Sequence, residues 1–260
     1  MKGREVWKVI KRIWITVGVG GTIIFIAWSL IAFRANGEAH AAALSDARVS
    51  VTRAGGIWNF SRLNPATPLK ATALIFFPGS LVDPTAYAPL ARMAAEAGFP
   101  VYMVELPRRG AFGGADSPQI REHLRAVIQG NPAIKHWVLA GHSRGAVVAC
   151  EMASEGFEGF AGLILIGTSH PRDVSLVALT IPVTKIVGSR DGLASPQEVE
   201  ENKSKLPLST RWVRIEGGNH SQFGWYGFQP GDRWAAVSAE AQRAEMLRAV
   251  LETLQSVSAP

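Results

Sequence analysis

Residues 137–148 read Trp-Val-Leu-Ala-Gly-His-Ser-Arg-Gly-Ala-Val-Val, which is an apolar run, the pattern Gly-x-Ser-x-Gly and a second apolar run. This order predicts a strand, a sharp turn and a helix, with Ser143 in the turn. In such a turn the serine adopts a strained backbone conformation that exposes its hydroxyl group. The two glycines flank it because a side chain there would crowd the neighbouring strand or helix. The alternative is a glycine-rich turn that merely contains a serine.

The remaining sequence alternates between apolar strands and amphipathic helices. Eight segments are predicted as strands, namely 48–52, 57–61, 71–77, 101–104, 137–140, 163–166, 183–187 and 212–215. Helices are predicted over 86–97, 118–129 and the region around 246–254. Apolar strands that alternate with such helices predict an α/β fold with a mostly parallel central sheet flanked by helices. Residues 167–182 are too few for a cap domain, so we expect a minimal cap or none.

The N-terminal region predicts a membrane helix. Residues 13–33 contain no charged side chain, and as a helix they span about 31 Å, close to the ~30 Å hydrocarbon core of a bilayer. Residues 1–12 are basic, which predicts a single-pass anchor in the cell membrane with a cytoplasmic N-terminus and an extracytoplasmic domain. The alternative is a signal peptide cleaved near Ala39-His40-Ala41, which would give a secreted protein. The apolar segment is longer than the usual ~7–15 residues of a signal peptide, which favours the anchor.

Charge and cysteine content exclude two other classes. The net charge is +6, but residues 1–12 hold five basic side chains and one acidic one, so most of that charge lies beside the membrane segment. The rest of the chain has no basic stripe interleaved with aromatic residues, and we expect no nucleic-acid partner. Cys150 is the only cysteine, which excludes an intrachain disulfide and a multi-cysteine metal site. No metal or cofactor is expected.

Two further polar residues directly follow predicted strands. Asp191 lies in a turn after strand 183–187, and His220 lies in a glycine-rich loop after strand 212–215. The carboxyl ends of parallel strands share one edge of the sheet, so we expect Ser143, Asp191 and His220 to meet there. Taken singly, Asp191 could be an ordinary turn residue and His220 an ordinary loop histidine. His170 also follows a strand, but no acid accompanies it in the same order.

Serine, acid and histidine in this chain order resemble the α/β-hydrolase superfamily. The resemblance covers about residues 47–257. It is closest to the fold-5 α/β-hydrolase group, through Phe-Pro-Gly-Ser-Leu-Val-Asp-Pro-Thr-Ala-Tyr (77–87), Glu-Gly-Gly-Asn-His-Ser-Gln-Phe-Gly (216–224) and Gln-Pro-Gly-Asp (229–232). The sequence departs from this group at Arg144, where an apolar residue is usual. The arginine would either attract an anionic substrate group near the nucleophile, or point to solvent or pair locally.

The resemblance implies a role for each candidate residue. Ser143 would be the nucleophile, His220 the general base, and Asp191 the residue that orients the histidine. Backbone amides of Ser80 and Arg144 would form the oxyanion hole, because residues 77–80 resemble the oxyanion loop of the family. The alternative for that loop is a plain Pro-Gly turn.

These expectations define a domain organisation and a function. Residues 1–12 would be a basic cytoplasmic tail, 13–33 the transmembrane anchor, 34–46 a tether and 47–260 the catalytic domain. We expect a membrane-anchored serine hydrolase that cleaves carboxylic esters or related acyl compounds. Its partners would be a small-molecule acyl substrate and, through 13–33, the lipid bilayer. An acyltransferase or peptidase with the same residues, or a non-catalytic binding protein, are the alternatives. The sequence leaves the physiological substrate and the oligomeric state open.

Overall fold

A computed structural model describes residues 2–63 and 68–258 of the chain. Within these residues, eight strands form one sheet in the order β1-β2-β4-β3-β5-β6-β7-β8. The strands are β1 (Val49–Ala54), β2 (Ile57–Arg62), β3 (Thr72–Phe77), β4 (Val101–Val104), β5 (His136–His142), β6 (Phe160–Ile166), β7 (Val183–Gly188) and β8 (Arg211–Ile215). The pairs β1–β2 and β2–β4 are antiparallel and the others are parallel. The predicted fold, a mostly parallel sheet, is confirmed.

Helices cover both faces of this sheet. They are α1 (Lys2–Ala32), α2 (Gly37–Ala42), α3 (Ala88–Glu96), α4 (Pro118–Gly130), α5 (Arg144–Glu155), α6 (Pro196–Glu201) and α7 (Ala239–Ser258). Side chains of α3 and α7 pack on one face, and those of α4 and α5 pack on the other. Every residue of β3 is buried, as expected for a central strand between two layers of helices. Residues 167–182 join β6 to β7 without a helix or strand, so no lid covers the sheet edge.

Helix α1 is long and apolar enough to cross a membrane. It runs without interruption from the basic segment into the apolar segment, so the predicted boundary at residue 13 is not a structural one. Trp14 and Ile24 are 74% and 70% exposed. A free-standing helix with such an apolar surface is typical of a membrane anchor or of a signal sequence.

The segment 34–46, predicted as a tether, is packed against the domain. It contains α2, which Asn36 caps by accepting a hydrogen bond from the Ala39 amide at 2.9 Å. Ala35 and Ala39 are buried in the same core cluster as α3. Alanine favours a helix and its small side chain permits close packing, which explains why an alanine-rich stretch forms a packed connection here rather than a flexible one.

One charged residue lies inside the sheet. Lys185 in β7 is only 1% exposed, and its Nζ donates a hydrogen bond to the His170 carbonyl oxygen. Burial disfavours the charged ammonium group and lowers the pKa of Lys185 to about 8. The folded protein therefore binds this proton less tightly than the unfolded chain does.

We expect Lys185 to make the free energy of unfolding rise with pH. Between pH 8 and about 10.4 the unfolded chain holds the proton and the folded chain does not, so stability increases by at most about 1.4 kcal/mol per pH unit. Below pH 8 both states are protonated and the slope disappears. Urea unfolding of the full chain and of Lys185→Met across pH 7–10.5 tests this, because other titrations cancel in the difference. Parallel pH profiles for the two proteins would contradict the expectation.

Candidate active site

Ser143 lies at the sharp turn between β5 and α5, at the carboxyl edge of the sheet. Its backbone has φ 53° and ψ −121°, a sparsely populated conformation that costs about 1–3 kcal/mol. The turn is held by hydrogen bonds from the Ser143 amide to the Ile166 carbonyl oxygen at 2.9 Å and from the Ala146 amide to the Ser143 carbonyl oxygen at 3.0 Å. Ser143 itself remains partly exposed. The strained serine turn predicted from the sequence is present.

Two glycines make this turn possible. A Cβ atom at Gly145 would lie 2.0 Å from the Phe77 carbonyl oxygen, and one at Gly141 would lie 2.3 Å from the backbone of Gly145. Both distances are far below van der Waals contact. The pattern Gly-x-Ser-x-Gly is therefore a packing requirement, since α5 leaves the turn directly against the end of β3.

Asp191 and His220 form a buried pair beyond β7 and β8. His220 Nδ1 lies 2.9 Å from Asp191 Oδ2, and both side chains are about 1% exposed. The other carboxylate oxygen of Asp191 accepts hydrogen bonds from the amides of Leu193 at 2.9 Å and Ala194 at 2.7 Å. A carboxylate only accepts hydrogen bonds, so the His220 ring donates through Nδ1, and in the neutral ring Nε2 then carries the lone pair. The pair can therefore deliver an oriented base.

The structure brings His220 against the serine turn. Its ring centroid lies 4.6 Å from that of His142, the residue before Ser143. His220 Nε2 is buried and has no hydrogen-bond partner among the described residues. A hydrogen bond between Ser143 and His220 is thus not formed in this structure, although His220 contacts the residue before the serine. Such bonds are often long in ligand-free sites and tighten when substrate binds.

Asp232 clamps the two loops that carry this pair. One oxygen accepts hydrogen bonds from the Gly192 amide at 3.0 Å and the His220 amide at 3.2 Å. The other accepts from the Ser221 amide at 2.8 Å and the Ser221 hydroxyl at 2.7 Å. One carboxylate therefore fixes the residue after Asp191 and the backbone of His220 relative to each other.

A buried glutamine holds the residue before the histidine. Gln242 in α7 is fully buried. Its Oε1 accepts from the Asn219 amide at 3.0 Å, and its Nε2 donates to the Asn219 carbonyl oxygen at 2.7 Å. The side chain thus pairs with loop backbone as a neighbouring strand would, and ties the histidine loop to α7.

A tyrosine and a second histidine connect the loop after β3 to the serine turn. The Tyr87 hydroxyl accepts from the Gly79 amide at 3.1 Å and is hydrogen-bonded to His142 Nδ1 at 2.7 Å. Burial, followed by the proximity of His220, holds the pKa of His142 well below its usual value. His142 therefore stays neutral and adds no positive charge beside His220.

The predicted oxyanion residues, Ser80 and Arg144, directly follow Gly79 and Ser143 in these two segments. Arg144 is the first residue of α5, where backbone amides have no partner within the helix. Its side chain pairs with Asp116, so local pairing, the second of the two expectations, is observed. In the loop after β3, the amides on either side of Ser80 are engaged: Gly79 with Tyr87 as above, and Leu81 with the Arg109 carbonyl oxygen at 2.7 Å.

The competing histidine lacks a buried acid. His170 Nε2 lies 3.8 Å from Asp173 Oδ2, whose side chain is 90% exposed. Burial, followed by repulsion from Arg172, lowers the pKa of His170 to about 4. Within the described residues, the buried Asp191 pairs with His220 and not with His170. Among residues 2–63 and 68–258, no group of three or more His, Cys, Asp or Glu side chains is placed to hold a metal ion.

Sequence analysis missed the supporting roles of Tyr87, Asp232 and Gln242. The first two lie inside the quoted motifs 77–87 and 229–232. The motifs marked these segments as typical of the family, but they did not indicate which contacts Tyr87 and Asp232 make. Gln242 carried no signal, because a glutamine on an amphipathic helix ordinarily faces solvent.

We expect Gly145→Ala to destabilise the domain by about 3 kcal/mol or more, because the added methyl group collides with fixed backbone. Gly130→Ala is the matched control. No atom lies within 4 Å of its Cβ position, so the same change should be neutral or slightly stabilising in α4. Chemical unfolding of both variants measures the difference. Equal stability of the two variants would show that the turn tolerates a side chain.

Comparisons with known proteins agree with this architecture. Residues 73–244 match the alpha/beta hydrolase family. No curated protein matches the chain in sequence.

Several solved structures share the fold. An α/β serine hydrolase without a lid from Xanthomonas campestris has a TM-score of 0.59 and 18% identity, covering 84% of this chain and 98% of its own. Esterase 2 of Thermogutta terrifontis has a TM-score of 0.54 and 15% identity, covering 82% and 96%. An alpha-beta serine hydrolase homologue from Coxiella burnetii has a TM-score of 0.54 and 13% identity, covering 82% and 98%. With the family match spanning most of the domain, the chain belongs to the alpha/beta hydrolase family.

Proposed function

We propose that this chain is a membrane-anchored serine hydrolase that cleaves carboxylic esters or related acyl compounds through Ser143, His220 and Asp191. The observation that carries the proposal is the buried hydrogen bond of 2.9 Å between His220 and Asp191, next to a serine held in a strained turn. Burying a carboxylate is costly unless hydrogen bonds compensate it. Asp191 receives three such bonds, which supports a dedicated role in orienting the histidine.

In the first half of the reaction, Ser143 Oγ attacks the acyl carbon while His220 Nε2 takes the hydroxyl proton. Asp191 stabilises the resulting imidazolium. Negative charge develops on the former carbonyl oxygen, where the amides of Ser80 and Arg144 would donate; one such donor is worth about 3–4 kcal/mol in the transition state. His220 then protonates the leaving alcohol, and the acyl group remains on Ser143.

In the second half, a water molecule attacks the acyl-enzyme. His220 removes its proton, the tetrahedral intermediate collapses, and Ser143 leaves with the proton from His220. The carboxylic acid is released and the resting state returns. The neutral His142 matters in both halves, because a charged neighbour at its ring distance of 4.6 Å would oppose formation of the His220 imidazolium.

Retention of α1 as an anchor is the second part of the proposal. Cleavage after Ala41 would remove Phe33, Ala35 and Ala39, all of which are buried in the core of the domain. A mature domain without them would expose the apolar surface that they cover. This supports an uncleaved helix with the basic residues 1–12 on the cytoplasmic side.

We expect Ser143→Ala to abolish labelling by a fluorophosphonate probe and to lower turnover of 4-nitrophenyl butyrate by at least about 10³-fold, because the nucleophile is lost. His220→Ala should lose turnover to a similar degree. His170→Ala is the matched control and should retain turnover within about threefold. Unchanged labelling of Ser143→Ala would overturn the assignment of the nucleophile.

We expect Asp232→Asn to lower kcat about 10- to 100-fold with little change in KM. In either orientation of the asparagine, its NH₂ group faces backbone amides that donate to Asp232. Two donors cannot pair, so the histidine loop must shift. Small misplacements of catalytic groups lower the rate strongly. Asp173→Asn, at a side chain that is 90% exposed, is the control. Steady-state kinetics on a short-chain ester separates kcat from KM. A kcat equal to that of the control would exclude a positioning role.

A further inference from the structure

We propose that the active site takes its substrate from the membrane surface, and that this substrate is an amphiphilic ester whose acyl chain resides in the bilayer. The inference rests on the proposed function, both its serine chemistry and its retained anchor. It concerns where the membrane helix joins the domain.

The end of α1 is hydrogen-bonded to the two loops that flank the site. The Ala32 carbonyl oxygen accepts from the Gly227 amide at 2.8 Å, and the Phe33 carbonyl oxygen accepts from the Asp83 amide at 2.9 Å. The Asn36 amide donates to the Trp225 carbonyl oxygen at 2.9 Å. Asp83 follows the oxyanion candidate Ser80 by three residues, a span of at most about 11 Å. Trp225 follows His220 by five residues.

A continuous series of rings leads from the anchor to the catalytic histidine. The centroids of Phe33 and Tyr226 are 6.3 Å apart, those of Tyr226 and His142 are 6.5 Å apart, and those of His142 and His220 are 4.6 Å apart. Phe33 is also the last residue of the uncharged stretch, and the exposed Arg34 follows it. Ala32 and Phe33 are already buried in the domain, so the exposed apolar surface of α1 ends at Ile31, two residues before the first ring of this series.

The end of α1 is joined to the domain without a flexible linker. A Cβ atom at Gly227 would lie 2.9 Å from the Ala32 carbonyl oxygen, so the loop and the helix end are in direct backbone contact. Phe33 and Ala35 are buried within the domain core. The domain cannot swing away on a flexible linker, and the site stays near the bilayer.

Exposed apolar side chains line the same edge of the sheet. Leu81 lies beside Ser80, Phe112 follows β4 and Trp234 follows β8; they are 44%, 91% and 73% exposed. A single exposed apolar side chain is ordinary on a protein surface, so what counts here is that all three lie in loops after strands that end at one edge. Their position in these loops is compatible with a lipid surface there, and the proposal itself rests on the anchor contacts.

The test uses the full chain in vesicles of ether-linked phosphatidylcholine, which contain no competing ester. The substrates are 4-nitrophenyl butyrate, which is soluble, and 4-nitrophenyl palmitate, which resides in the bilayer and has the same leaving group. We expect palmitate turnover to be at least about tenfold faster when ester and protein share vesicles than when they occupy separate ones. Butyrate turnover should be the same in both arrangements.

A second variant tests the rigid junction. About 20 Gly and Ser residues inserted between Ile31 and Ala32 separate the spanning helix from the docked residues. We expect butyrate turnover to persist and palmitate turnover in shared vesicles to fall about tenfold. Butyrate cleavage without palmitate cleavage, or palmitate turnover unaffected by the insertion, would overturn the inference. If the unmodified chain hydrolysed neither ester, that result would instead refute the proposed function.

Discussion

The contact between the start of α5 and the end of β3 is the constraint on which the site depends. The Phe77 carbonyl oxygen occupies the space of a Gly145 side chain, so the chain turns sharply and Ser143 adopts a positive φ. The strain of about 1–3 kcal/mol is borne by a sheet whose central strands are buried on both faces. Because the layers cannot separate without losing that burial, the serine stays at the edge where Asp191 and His220 also arrive.

In the loops that follow the strands, side chains supply the hydrogen bonds that neighbouring strands supply within the sheet. The loops after β3, β7 and β8 have few regular backbone partners, yet their buried polar groups must be satisfied. Asp232, Gln242 and Tyr87 supply those partners, and each one joins two segments that are distant in sequence. The same residues therefore stabilise the loops and set the geometry of the candidate site. An uncharged His142 completes this arrangement by leaving the local electrostatics to Asp191 and His220.

The sequence predicts those features of the fold and the site that depend on local residue pattern or on sheet topology. The eight strands follow from apolar runs, and the meeting of Asp191 with His220 follows from the rule that parallel strands end at one edge. The bond between Tyr87 and His142 and the clamp by Asp232 could not be predicted, because they depend on distances between loops. The packing of 34–46 was missed for a similar reason: short alanine-rich segments fold when a neighbouring surface accepts them. The hydropathy of single residues also fails at Lys185, because this charged side chain is buried along with the apolar strand that carries it.

The lack of a lid and the proposed membrane anchor have a common physical consequence. In a lidded hydrolase, a cap excludes water and provides an apolar surface for the acyl chain. Residues 167–182 are too short for one here, and the loops at the edge instead expose Phe112 and Trp234. With the end of α1 hydrogen-bonded to the loops around the site, the proposed placement gives the bilayer both roles of the missing cap. Ala32 and Phe33 are hydrogen-bonded to the loops that follow Ser80 and His220, so the end of the apolar helix and these loops are held together by backbone contacts.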